Sequence, residues 1–180
     1  MTPEKWTKSI DESTKAFLDA FSGLTAEQLN WKPDPNTWSI GQNIHHLIVI
    51  NSTYYPTFEA LKSGQHKTPF IGKIGFITNF FGNFILKSVQ PEYERKTRTL
   101  PIWEPSKSDI DANILEQFKQ HQEGLKKWIS EIQPMLGKGV VISSPANKNI
   151  VYKLETALDI ITTHEKRHFE QARRILVLQS

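Results

Sequence analysis

Alternating steps of four and three from Ala157 land on Ile161, His164, His168, Gln171, Ile175 and Leu178. At roughly 3.6 residues per turn these positions share one face, the buried seam of a helix packed in a bundle. Three consecutive seam places therefore carry His164, His168 and Gln171 where leucine or isoleucine is expected. A buried polar side chain without a partner costs on the order of a few kcal/mol, so each of the three needs a specific bonding partner. Two imidazoles one helical turn apart can also converge on a single cation.

The helical period governs most of the chain. Trp6, Ile10, Phe17, Leu18 and Phe21 define a first helix from Pro3 to Phe21, with Gly23 just beyond it. Leu24 to Asn30 reads as a short helical turn capped by Thr25, and Trp31 to Thr37 as a proline-punctuated loop. A second helix is predicted from Trp38 or Ser39 to about Leu61, on the seam Ile40, Ile44, Leu47, Asn51, Tyr54, Phe58 and Leu61. Pro56 lies inside it and predicts a kink or an earlier end. Lys62 to Pro105 forms a long connection, partly structured or functional, in which the aromatic part Phe70 to Lys87 reads as a short helix. Ser106 or Ser108 is expected to cap a third helix, with Asp109 and Asp111 in its first turn, running to about Gln133. Gly137, Gly139, Pro145 and Asn147 then break the chain before a fourth helix from about Tyr152 to Leu178. Four long helices around one core make an all-α four-helix bundle, a single domain over residues 1–180.

Composition removes several classes of function. Without cysteine there is no disulfide, no thiolate metal site and no cysteine nucleophile, so any metal is held by nitrogen and oxygen. The formal charge of +3 is mild and the basic residues are scattered, which argues against nucleic acid as a partner. No apolar run approaches the roughly twenty residues of a membrane span, and Met1 to Ala20 lacks a signal-type apolar core. A cytoplasmic protein with no membrane partner is the expectation.

Two histidines supply two ligands, and a useful metal site needs about three. Of the others, His66 lies in a Gly- and Lys-containing loop and His121 among Lys119, Gln120, Gln122 and Glu123, on an expected solvated face. His46 sits in the most apolar part of the second helix, beside Asn43 and Ile50, while His45 points away. The expected ligand set is therefore His46, His164 and His168, with Gln171, Asn43 or Asn51 as outer hydrogen-bond partners. The competing reading is a pair of core histidines bonded to Asn43, Gln171 or a backbone carbonyl. Trp31 and Trp38 are expected to pack the start of the second helix, and Tyr54 and Tyr55 to be half-buried. The aromatic residues Phe76, Phe80, Phe81 and Phe84 could form a substrate wall, a dimer surface or core.

Leu29-Asn30-Trp31-Lys32-Pro33, Trp38-Ser39-Ile40-Gly41-Gln42 leading into His46-Leu47, and His164-Glu165-Lys166-Arg167-His168-Phe169-Glu170-Gln171 together resemble the DinB/YfiT-like superfamily over essentially the whole chain. The resemblance implies up-down-down-up connectivity, a homodimer, and a divalent metal on His46, His164 and His168. It also implies thiol transferase or isomerase activity with a low-molecular-weight thiol, as in characterised relatives.

The functional expectation is a metal-dependent enzyme acting on a small molecule. A metal-bound thiolate would give S-transfer and a metal-bound hydroxide would give hydrolysis. Zinc, nickel, iron(II) and manganese all suit nitrogen ligands, and no catalytic side chain is singled out. The alternative is a non-catalytic helical interaction module with a structural or vestigial metal. His164-Glu165-Lys166-Arg167-His168 also fits the zincin protease pattern, with Glu165 as general base. That reading is disfavoured, because the chain ends at Ser180 without a following helix to bring a further ligand, and Glu165 is expected to pair with a basic residue.

Overall fold

The computed structural model describes residues 3–92, 99–106 and 109–179. Seven α-helices appear among them: α1 Glu4–Phe21, α2 Ala26–Asn30, α3 Ile40–Ser52, α4 Tyr55–Lys62, α5 Gly75–Ser88, α6 Ile114–Glu131 and α7 Leu154–Gln179. The bundle consists of α1, the broken pair α3 and α4, α6, and α7. The break falls at Thr53 and Tyr54, where Pro56 leaves the Ser52 carbonyl without its helical donor.

Local chemistry sets the helix starts. Thr25 accepts from the Gln28 amide, and the Gln28 side chain accepts from the Thr25 amide in return. Ser39 and Gln42 repeat the arrangement at the start of α3, at 3.1 and 3.3 Å. Gln42 then spends its free NH2 on the Ser106 carbonyl at 2.8 Å, tying the distant connection to the head of α3. Gly41 makes room for that connection, since a Cβ there would lie 3.1 Å from the Ile110 Cβ.

Two apolar clusters fill the bundle. One gathers Phe17 and Phe21 of α1, Ile40, Ile44 and Leu47 of α3, Ile114 and Phe118 of α6, and Ala172 and Ile175 of α7. The other gathers Trp6 and Ile10, Tyr54, Phe58 and Leu61, Leu125 and Ile129, and Leu158 and Ile161. The first cluster takes the C-terminal halves of α1 and α7 but the N-terminal halves of α3 and α6. The helices therefore run up-down-down-up.

Several expectations are corrected. The third helix starts at Ile114 with Asn113 before it, not at a cap from Ser106; Ser108 lies outside the described residues. Residues assigned to the break before the last helix form an antiparallel hairpin, β1 Val141–Ser144 and β2 Asn147–Lys153, so α7 starts at Leu154 rather than Tyr152. Val140-Val141-Ile142 and Ile150-Val151-Tyr152 are β-branched and aromatic runs on either side of Pro145, a strand signal at that spot. Leu178 is 60% exposed, so the α7 seam ends at Ile175.

The long connection holds a 3-10 turn, Phe70–Lys73, and then α5, which packs on the hairpin and α7. Gly82 allows that approach, because a Cβ there would sit 3.1 Å from the Thr156 methyl. Phe76, Phe80 and Phe84 point to solvent, which removes them from the core.

Candidate metal centre

Helix α3 brings His46 inward beside Ile44 and Leu47, and α7 brings His164 and His168 one turn apart. One ring nitrogen from each of the three lies within 4.8 Å of the other two. The ring centroids are 4.4 Å apart for His164 and His168, 4.6 Å for His46 and His168, and 5.2 Å for His46 and His164. His46 and His168 are buried and His164 is partly exposed.

Hydrogen bonds assign the tautomers. Asn43 donates its NH2 to the Ser39 carbonyl at 2.9 Å, which turns its oxygen toward His168. His168 Nδ1–H donates to that oxygen at 2.8 Å. His46 Nδ1–H donates to the Trp103 carbonyl at 2.6 Å, an acceptor that the Gln42–Ser106 bond helps to hold in place. Both rings thereby present an unprotonated Nε2. His168 Nε2 lies 3.0 Å from His164 Nε2, which carries the bridging proton when no cation is there.

Burial lowers the pKa of all three rings, His46 to about 4, and neighbouring imidazoles push His164 and His168 further down. All three are therefore neutral at neutral pH, the protonation state a metal requires. Trp38 stacks on His168 at 5.9 Å and 20°, and tilts over His46 at 4.9 Å, forming one wall.

The competing reading of ordinary core histidines is met on the outer edge, where Asn43 and a carbonyl take the Nδ1 protons. On the inner edge His168 Nε2 meets His164 Nε2 at 3.0 Å, and a ring nitrogen of His46 lies within 4.8 Å of both rings. Nitrogen ligands at roughly 2.0–2.1 Å from a shared ion sit about 3 Å apart, so the residues present suit a divalent cation.

Other site expectations sort differently. His45 points away, its Nδ1 accepting from the Ser106 amide at 3.4 Å. His66 Nε2 donates to the Val141 carbonyl at 2.9 Å. His121 is not solvated: it packs against Tyr55, with Nδ1 3.1 Å from the phenol oxygen, and burial takes its pKa to about 4. The acceptor on His168 is Asn43 rather than Gln171, and Asn51 serves Glu165 instead of a histidine. Trp103, absent from the sequence expectations, supplies its backbone carbonyl, an atom no side-chain pattern marks.

Glu165 is the largest correction. It is fully buried and, among the described residues, forms no ion pair: Asn51 and Gln122 each donate to one carboxyl oxygen at 3.0 Å, and Ser13 also hydrogen-bonds to it. These partners come from α3, α6 and α1, so one carboxyl on α7 joins all four bundle helices in a polar layer between the two apolar clusters. Burial raises its pKa to about 7 against the pull of those three bonds.

These shifts predict acid sensitivity in the metal-free protein. The unfolded chain binds protons on its histidines below pH 6.5, while folded His46 and His121 stay neutral to about pH 4. Stability contributed by these groups is present above 6.5 and lost as pH falls through that window, by up to about 1.4 kcal/mol per pH unit for each histidine. Glu165 acts in the opposite sense: its contribution is present below pH 4.5 and fades as pH rises through about 7. Five histidines whose pKa burial lowers, His45 among them, against one carboxyl leave the acid loss dominant. Urea midpoints should fall steadily from pH 7 to pH 5, and a flat profile would contradict the buried neutral rings.

A cleft of about 520 Å³ between α1 and α7, lined by Glu12, Lys166, Phe169 and Arg174, includes none of the three histidines. The candidate site lies elsewhere in the fold. It is a histidine cluster set between the second and last helices of an up-down-down-up bundle.

That architecture defines a class of helical proteins, and comparison with known proteins identifies the family. The DinB superfamily profile matches residues 9–172, and this chain belongs to that superfamily. Among solved structures it resembles YfiT from Bacillus subtilis, titled "a probable metal-dependent hydrolase with an unusual four-helix bundle topology". The TM-score is 0.66 at 17% identity, covering 98% of this chain and 87% of that one, a likeness of fold alone. No curated protein matches. Among the described residues, no helix is long and apolar enough to cross a membrane.

Proposed function

We propose that the protein is a metal-dependent enzyme acting on a small molecule, with His46, His164 and His168 holding one divalent cation through their Nε2 atoms. The observation that carries this reading is the tautomer pattern: Asn43 and the Trp103 carbonyl consume the outer protons of His168 and His46, so the lone pairs turn to a common point. Three ligands leave coordination positions open, the arrangement of a catalytic site rather than a closed structural one. When bound, such an ion supplies Lewis-acid activation of a water or thiol at neutral pH. The chain's own contribution is to keep three imidazoles neutral and aligned and to wall one side with Trp38.

Hydrolysis is the favoured reaction class, and the description of YfiT as a probable metal-dependent hydrolase supports it. Thiol-dependent S-transfer is the second reading, and it rests on the family resemblance alone. Elemental analysis of protein purified without an affinity tag should find about one transition-metal equivalent per chain. Turnover of activated esters and amides, with and without added thiols, then separates the two reactions. Chelation should abolish either one, and chelator-resistant turnover would refute the metal-dependent reading.

Asn43→Ala tests the geometry directly. Outer partners of ligating histidines typically contribute about 10–100-fold to metal affinity. Competition against a chromophoric chelator should show a loss in that range with helicity preserved, and unchanged affinity would mean Asn43 does not orient His168.

A further inference from the structure

Helix α5 carries an aromatic stripe that the bundle does not use. Phe76, Phe80 and Phe84 follow one another at four-residue spacing and are 77%, 64% and 63% exposed, and Phe70 just before the helix is 81% exposed. The opposite face holds Thr78 and Gly82, buried against the hairpin and α7. The stripe is therefore a fixed outward face of a packed helix, held by contacts that do not involve the phenylalanines.

Its charge is one-sided. Between Glu59 and Glu92 the sequence has no acidic residue, yet it contains Lys62, Lys67, Lys73 and Lys87. Lys62 is paired with Glu131, while the other three are exposed. Lys73 and Lys87 fall three residues before Phe76 and three after Phe84, bracketing the stripe, and the Lys73 ammonium lies 5.9 Å from the Phe70 ring centroid.

Three outward rings offer roughly 500 Å² of apolar surface, at the upper end of what a monomer normally exposes. A standard protein interface takes about 800 Å² from each partner, more than the stripe provides. Two-fold pairing with a second copy would also set Lys73 against Lys87 at both ends, with no acidic side chain on the segment to offset them. A surface with diffuse negative charge and an apolar interior has neither difficulty.

From this we propose that α5 is a peripheral docking helix for an anionic lipid surface, laying Phe76, Phe80 and Phe84 into the headgroup boundary with Lys73 and Lys87 at the phosphates. The expectation of no membrane partner rested on span length, and adsorption of an amphipathic face needs no span. The assignment is independent of the histidine cluster.

The test is co-sedimentation of the full chain with vesicles of phosphatidylcholine alone and of equal parts phosphatidylcholine and phosphatidylglycerol, at low and high salt. The protein should pellet with the mixed vesicles at low salt and remain in solution with phosphatidylcholine alone. Phe80→Ser combined with Phe84→Ser should abolish pelleting, and Lys73→Gln or Lys87→Gln should each weaken it about fivefold. Because these side chains are exposed, far-UV circular dichroism should stay unchanged. Three results overturn the proposal: no pelleting of the wild type, pelleting that survives the double serine variant, or a dimer in sedimentation velocity that only the double variant dissociates. The last would assign the stripe to a second copy.

Discussion

His168→Ala should yield a folded protein that retains no stoichiometric metal. His168 is the best-fixed of the three rings, buried, bonded through Nδ1 to Asn43 and stacked on Trp38. Its removal leaves His46 and His164 as a two-nitrogen site, and the loss should exceed the roughly 10–100-fold that follows from disturbing an outer partner. The fold should survive, because the substitution orphans two groups, the Asn43 oxygen and the Nε2–H of the partly exposed His164, at a cost of about 1–3 kcal/mol each. Plasma mass spectrometry of wild type and variant, purified in parallel without a tag, measures the difference. Equal metal content in the two would remove the three-histidine centre from consideration.

Glu165→Ala should do the reverse, damaging the fold more than the site. The substitution strips acceptors from Asn51, Gln122 and Ser13 at once and opens a cavity where four helices meet. Buried donors left unpaired cost about 1–3 kcal/mol each, so a total of about 3–5 kcal/mol is expected from urea unfolding. Glu165→Gln, which keeps the shape and one acceptor oxygen, should recover part of that loss. The protease pattern makes the opposite forecast, a catalytic defect with stability intact. A change below about 1 kcal/mol for Glu165→Ala would show that the polar layer is not holding the bundle together.

The two residues, adjacent in one motif to a ligand or ligands themselves, illustrate how much was legible. The apolar seams of α1 and of α3 with α4 were readable, as were the cap at Thr25, the start of the second helix near Ser39 and the break near Pro56, because each depends on neighbours within a turn or two. The histidine pair on α7 was readable for the same reason. Glu165 was not, since helix α7 buries a wider face than a strict seam: Leu158, Ile160, Thr162 and Glu165 are all buried. The polar neighbours of His121 in sequence suggest a solvated face, but the helix turns them in other directions. The hairpin at Val141–Lys153 was hidden by turn residues that read as a simple break.

By itself, then, the amino-acid order settled what is encoded within a few residues: helical period, the cap at Thr25, the proline break and two imidazoles one turn apart. Only the packed chain decided which nitrogen of His168 and His46 faces inward, because their proton acceptors are Asn43, far back along the chain, and the Trp103 carbonyl on a remote connection. The same holds for Glu165, whose donors come from three other helices, and for the phenylalanines of α5, whose exposure depends on what the hairpin covers. Tautomer, burial and exposure are properties of neighbours in space, and those neighbours meet only when the bundle closes.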